Sequence, residues 1–393
     1  MKTTLFAGIV LVSGFLAWKY DPLQPVTEKV NPPAVLHPVI TSPSAKDNTR
    51  IQVALLLDTS NSMDGLIDQA KSRLWNIINT LTTLKYHGKT PAIEIALYEY
   101  GNNGLSPASG FIRQVTPLTT DLDLISEKLF SLRTNGGEEY CGAVISSAVK
   151  SLEWGHDEAD MKLIYIAGNE PFNQGSVSYT TAAAEAVGKS IFINTIFCGN
   201  KREGIATRWK DGADKGLGKF FNIDSDRKVD FIETPYDSII AAYNERINDT
   251  YIGYGAYGAS KKNNQLLQDA NAKSISKANS VERYISKSKE VYKNESWDLV
   301  ERSKNDPAIL KTISKSDLPK ELQGKTTEEL HKVVVAKSRE RDSIQHTIAT
   351  LGKKRQQYID AAMKQTGKPD DLGTAINMSI IQLAATKGYS AEK

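Results

Sequence analysis

Residues 51–65 read Ile-Gln-Val-Ala-Leu-Leu-Leu-Asp-Thr-Ser-Asn-Ser-Met-Asp-Gly. An apolar run of strand length ends there in one carboxylate and two hydroxyls, and a helical pattern follows. The run is apolar at nearly every position rather than at every second one, which marks a strand covered on both faces, as in a parallel sheet. Outward from it, short apolar runs predict further strands at 92–99, 111–115, 162–167, 191–197 and 219–223. Helical spacing fills the gaps near 63–83, 121–132, 140–153, 179–188, 203–211 and 235–250. This alternation predicts an α/β fold, a doubly wound, mostly parallel sheet. Ligands of such sheets gather beyond the carboxyl ends of the strands, so functional residues should follow strands.

The residues after the first strand, Asp58, Ser60 and Ser62, form an Asp-x-Ser-x-Ser sequence in a tight strand-to-helix turn. There a carboxylate and two hydroxyls can face one point and offer hard oxygen ligands to Mg²⁺, with Ca²⁺ or Mn²⁺ as alternatives, while waters keep the remaining positions. The same serines also suit the N-cap of the helix that starts near Met63. With its apolar strand and following helix, this sequence resembles the metal-ion-dependent adhesion site of von Willebrand factor type A (VWA) domains. The resemblance spans about Ile51 to Tyr251. It implies a metal-dependent protein-binding domain in which an acidic residue of the partner completes the metal shell.

Two further loops resemble the family and depart from it. Thr134-Asn135-Gly136-Gly137-Glu138-Glu139 occupies the second loop, with Glu138 where the family places a metal-approaching Thr. The strand Lys162-Leu-Ile-Tyr-Ile-Ala167 runs into Gly168-Asn169-Glu170-Pro171, where Gly168 replaces the family's Asp and Asn169 or Glu170 has to substitute. The expected metal set is therefore Asp58, Ser60, Ser62, Glu138 and Glu170. Three carboxylates on one divalent ion leave the site negative, so one glutamate is expected to point away; a larger ion, or a ligand other than a carboxylate, is the alternative. Glu139 suits the positive end of the following helix. Tyr98 and Tyr100 end the second strand at the same edge and, with Asn169, are expected on the binding rim, although a tyrosine there can equally pack beneath the metal loop.

Cys141 and Cys198 are the chain's two cysteines, both at that edge of the sheet, and in an exported protein they suit a disulfide beside the metal site. The five histidines are scattered, and no nucleophile elbow, zinc-protease or phosphate-loop sequence occurs, so no enzymatic activity is expected.

Export is read from Thr3–Trp18, sixteen uncharged residues followed by Lys19 and Asp21. Residues 1–20 are thus a signal peptide or an uncleaved inner-membrane anchor, and the location periplasmic or cell-envelope. Six prolines in 21–49 make a semi-rigid linker. The metal domain is placed at 50–252. Beyond it the charge changes: residues 251–393 hold 25 Lys and Arg against 17 Asp and Glu, hidden within a net charge of only +3. Helical spacing over 261–303, and from a Thr326–Glu329 capping box to Gly367, predicts a basic helical hairpin or coiled coil over 260–368, a stalk or docking arm, with a tail at 369–393. Sparse aromatics in this region, together with export, argue against nucleic acid, and none is expected as a partner. A cell-envelope, metal-dependent adhesion or scaffold protein is the leading expectation; a structural module that assembles through its helical arm is the alternative.

Overall fold

The Ile51–Leu57 run lies in the middle of a sheet whose two faces are both covered. In the computed structural model, which describes residues 49–224, 230–366 and 372–391, the first half of the chain forms β1 (Arg50–Asp58), α1 (Asp64–Leu81), β2 (Leu84–Tyr86), β3 (Ala92–Tyr100), β4 (Ile112–Thr119), α2 (Leu122–Ser131) and α3 (Cys141–Ser151). It continues through β5 (Met161–Gly168), α4 (Tyr179–Gly188), β6 (Ile191–Cys198), α5 (Lys201–Ala206), α6 (Trp209–Lys215), β7 (Leu217–Ile223) and α7 (Asp237–Asn248). The expected export segment and linker, residues 1–48, lie outside the described residues.

Six strands pair in the order β4-β3-β1-β5-β6-β7, with only β4 antiparallel to its neighbour. The chain winds from β1 to β3 on one side and then from β5 to β7 on the other. The topological switch point therefore lies between β1 and β5. Strand alternation divides the core in two. Val53 and Leu57 pack on one face with Leu163, Ala167 and the helices α1 and α2. Ala54 and Leu56 pack on the other with Ile164, Ile166, α3 and α4.

Past residue 252 follow α8 (Gly258–Ile275), α9 (Lys277–Lys287), α10 (Leu299–Asn305), α11 (Ile309–Thr312), α12 (Thr327–Thr366), α13 (Leu372–Thr386) and β8 (Tyr389–Ala391). A helical region is present, but the expected hairpin or stalk is not: all described residues fall in one compact unit. The long helix expected over 261–303 breaks at Ser276, whose extended backbone ends α8 and whose hydroxyl caps α9 by accepting from Asn279 N (2.9 Å). Ala272, Val281, Ile285, Ile344 and Ile348 join the α1–α2 side of the core, so these helices cover that face rather than leaving it.

The capping box forms as expected, with Thr326 Oγ1 accepting from Glu329 N (3.2 Å) and Thr326 N donating to Glu329 Oε2 (2.8 Å). Two basic residues that interrupt the apolar stripe of α12 prove to be its anchors. Arg341 pairs with Asp298 (2.5 Å) and lies over the Tyr251 ring, and Arg355 pairs with Asp237 (3.0 Å); each arginine is 3% exposed. The tail is also part of the fold. Ile376, Ile380 and Leu383 of α13 enter the core, and β8 pairs antiparallel with β2. Among the described residues, no helix is long and apolar enough to cross a membrane.

If the helical layer belongs to the core, removing one anchor strands a buried carboxylate. Arg355→Leu is expected to lower the unfolding free energy by about 3–5 kcal/mol in urea titrations, as for other broken buried pairs. Lys128→Ala, at an exposed pair with Glu127, is expected to change it by under about 1 kcal/mol. Equal midpoints for the two variants would return the helices to the status of an independent arm.

Candidate metal centre

β1 closes its series of buried apolar residues on a charged one. Asp58 is 0% exposed and lies beside Tyr100 of β3 in the sheet register. Its Oδ1 accepts from Ser60 N at 2.8 Å, whereas Oδ2 is buried with no hydrogen-bond partner. Beyond it the chain makes one 3₁₀ turn, Asn61–Met63, and enters α1; neither the turn nor α1 is capped by a side chain. The Ser60 and Ser62 hydroxyls are therefore not spent on helix capping. They lie 3.4 Å apart, and Ser62 Oγ accepts from Asn169 Nδ2 at 3.2 Å. Asn169 Oδ1 is a second buried oxygen without a partner. Asp58 and Asn169 stand on the loops after β1 and β5, on either side of the switch point.

Two other loops hold this turn in place. Thr59 N donates to Tyr100 O (2.8 Å) and Asn135 N to Thr59 O (2.9 Å). The buried Asn102 amide braces the loops by donating to Arg133 O (2.9 Å), while its Oδ1 accepts from Gly104 N (2.8 Å). Gly101 has φ +75°, and a Cβ there would meet Asp58 Oδ1 and Glu139 Cγ, each at 2.8 Å. Only glycine fits that conformation and that approach. At Gly168 a Cβ would lie 2.6 Å from the Tyr100 hydroxyl and 3.0 Å from Asp58 Oδ2, so this packing admits no side chain where the family has its Asp.

The second acid is not the expected one. Glu138 is exposed and accepts from the Tyr140 hydroxyl (3.5 Å), facing away from Asp58. Glu139, only 8% exposed, faces inward within hydrogen-bonding reach of the Ser60 side chain. Glu170 is half-buried, and its carboxylate accepts from Gln174 Nε2 (3.2 Å). Burial pushes Asp58 up from 3.8 to about 7; its hydrogen bonds from Ser60 oppose this, and the negative charges of Glu139 and Glu170 add to it. Burial, then the charge of Glu170, pushes Glu139 up from 4.5 to about 7.

Three further expectations are corrected. Tyr98 and Tyr100 are not on a rim, since both are 0% exposed. Strand parity turns them into the α3–α4 core, where Tyr98 donates to Gln114 Oε1 (2.9 Å) and Tyr100 to Ala167 O (2.9 Å). They form a floor below the turn. Asn169 lies on the loop after β5 and donates to Ser62 Oγ. Cys141 and Cys198 are free, buried thiols. They pack in cores on opposite faces of the sheet, Cys141 with Val144 and Phe172 and Cys198 with Ile196 and Ile223, which separates the two sulfurs. Burial pushes both thiols up, away from the reactive thiolate form.

The strand order, the antiparallel edge strand β4 and the position of Asp-x-Ser-x-Ser at the switch point are now all in view. Together they fit a von Willebrand factor type A or Rossmann-like α/β fold. No protein-family model matches it, and no curated protein matches it. Among solved structures, it is similar to an aerotolerance-related membrane protein from Bacteroides fragilis (17% identity over 44% of this chain and 92% of that one, TM-score 0.32). A conserved hypothetical protein, BatB, from Bacteroides thetaiotaomicron shows 16% identity over 44% of this chain and 90% of that one (TM-score 0.34). Proximal thread matrix protein 1 of the mussel byssus, with a zinc-occupied metal-ion-dependent adhesion site, shows 13% identity over 47% and 44% (TM-score 0.36). The fold rests on this chain's own strand order and register.

The raised carboxyls set a pH dependence. Folded Asp58 and Glu139 keep their protons up to about pH 7, whereas unfolded they lose them near 3.8 and 4.5. The native state binds more protons across that window, so their contribution to stability is full below it and is lost as pH rises towards 7. Thermal melts in chelator should show a fall in stability from pH 5 to 7.5 that is smaller in Asp58→Asn. An identical pH profile in the variant would show that Asp58 does not titrate in this way.

Proposed function

We propose that this protein is a binding module that holds a divalent cation at Asp58, Ser60 and Ser62, with Asn169 at the mouth, and through that cation captures a protein partner. One observation carries the proposal: two buried oxygens without partners, Asp58 Oδ2 and Asn169 Oδ1, flank two serine hydroxyls not used for capping. Buried acceptors left unpaired are costly, and a hard cation satisfies several together. Such donors suit Mg²⁺, Mn²⁺ or Ca²⁺, with water or a partner oxygen filling the open positions. The cation would hold Asp58 ionised and carry the partner's oxygen; no bond-making step is assigned to the site. The uncharged stretch Thr3–Trp18 supports a setting in the cell envelope.

Calorimetric titration of Mg²⁺, Mn²⁺ and Ca²⁺ tests the first half of the proposal. Wild type is expected to bind, and at a free cation concentration 100 times Kd its unfolding free energy should rise by about 2.7 kcal/mol. Asp58→Ala should lose both effects. Affinity should increase as pH rises through 7, because binding displaces protons from Asp58 and Glu139. Capture of partners from envelope extract should cease in chelator and in Asp58→Ala. Absence of cation binding, or capture indifferent to both, overturns the proposal.

A further inference from the structure

Glu139 has a place in this site that neither the leading serines nor the solvent-facing Glu138 shares. It is 8% exposed, it reaches Ser60, and its Cγ and Asp58 Oδ1 both crowd the same point beside Gly101. Its side chain thus packs beside Asp58 at the turn, from within the chain. Together, Asp58, Glu139 and Glu170 set three negative charges against the two positive charges of the ion. The filled site then has no spare positive charge with which to attract a fourth carboxylate, and like charges this close repel. Around the mouth stand exposed carboxamides: Asn61 and Asn103, which flank Gly136, and Asn135. These groups donate and accept hydrogen bonds without adding charge.

We infer that Glu139 is a specificity-determining residue: by occupying the acidic place from within the chain, it excludes carboxylates from the bound cation, so the partner's donor is a neutral oxygen, an amide or a hydroxyl. This deepens the proposed function and rests on it, and it replaces the partner's acidic residue expected from the family resemblance. The physical content is a charge count joined to a geometry. Removing one negative charge from the site should admit an anion while leaving the neutral rim as it was. Glu170 contributes through its charge alone, since its carboxylate is engaged by Gln174. Glu138, exposed to solvent and last among the charges that act on Glu139, should contribute least.

The test loads wild type, Glu139→Gln, Glu170→Gln and Glu138→Gln with Mn²⁺ and follows water-proton relaxation as acetate, or its neutral isostere acetamide, is added. A ligand that reaches the ion displaces its waters and lowers the relaxation enhancement. Acetate should lower it in Glu139→Gln at a concentration roughly tenfold below that needed for wild type, about the effect of one like charge at this range. Glu170→Gln should move in the same direction by less, which keeps the test open if Glu139→Gln folds poorly. Glu138→Gln should shift the acetate titration least of the three, and acetamide should behave alike in all four. Equal acetate titrations for wild type, Glu139→Gln and Glu170→Gln overturn the inference while leaving the cation site standing. An equal shift from Glu138→Gln overturns it as well. Failure of wild type to bind Mn²⁺ removes the cation reading itself, and this inference with it.

Discussion

The structure turns on one unfavourable placement, a carboxylate wholly buried at the end of the central strand. Asp58 receives a hydrogen bond on one oxygen and has no partner on the other. No salt bridge reaches it among the described residues, and the charges that weigh on it most are those of Glu139 and Glu170. Such a group is held only where the surroundings over-determine it. Here β1 is hydrogen-bonded on both edges, its two faces are covered by separate cores, and its terminal turn is tied to the ends of β3 and to the loop before α3. The strand beneath the site is thus held on both edges and both faces.

That restraint explains the cover beyond residue 252. An α/β sheet of this order needs helices on both faces, and α1 and α2 leave room on theirs. α8, α9, α12 and α13 fill it. Their buried charges are matched one by one: Arg283 to Asp123 and Asp269, Lys287 to Asp269, Arg341 to Asp298 and Arg355 to Asp237. Pairs of this kind contribute little net stability over apolar residues, but a wrong register leaves a charge buried and unpaired. They fix where each helix lies, and so the face that β1 presses against.

Much of this was legible in the sequence, and what was not has a physical cause. Strands reveal themselves through local apolar runs, and each expected strand appears within a few residues of its place. The Asp-x-Ser-x-Ser turn is likewise local. The basic residues of α12 misled because their partners are remote: Asp237 stands 118 positions from Arg355, and Asp298 43 from Arg341. A positive charge on an apolar stripe looks solvated until its acid is located. The cysteines misled for a related reason, since a shared edge says nothing about which face of the sheet each side chain enters.

Glu139 is the most instructive miss, because a signal for it was present. The segment before α3 is neither helix nor strand, and its burial alternates at its end, with Glu138 exposed and Glu139 and Cys141 buried. Cys141 opens a helix whose first turn is apolar and must face the core, and Gly137 abuts the backbone of Gly101. Counting back in twos from Cys141 places Glu139 inside and Glu138 outside. Alignment to the family's threonine selects the wrong member of the pair, whereas parity selects the right one. The same counting lowers Tyr98 and Tyr100 from the rim to the floor, because they continue the inward series of Ala96 on β3. The chemistry of the site is then divided by depth: aromatic rings and thiols below, acids and serines at the middle, and exposed carboxamides above. On the proposed reading, the acid is supplied from within and the partner contributes a neutral oxygen.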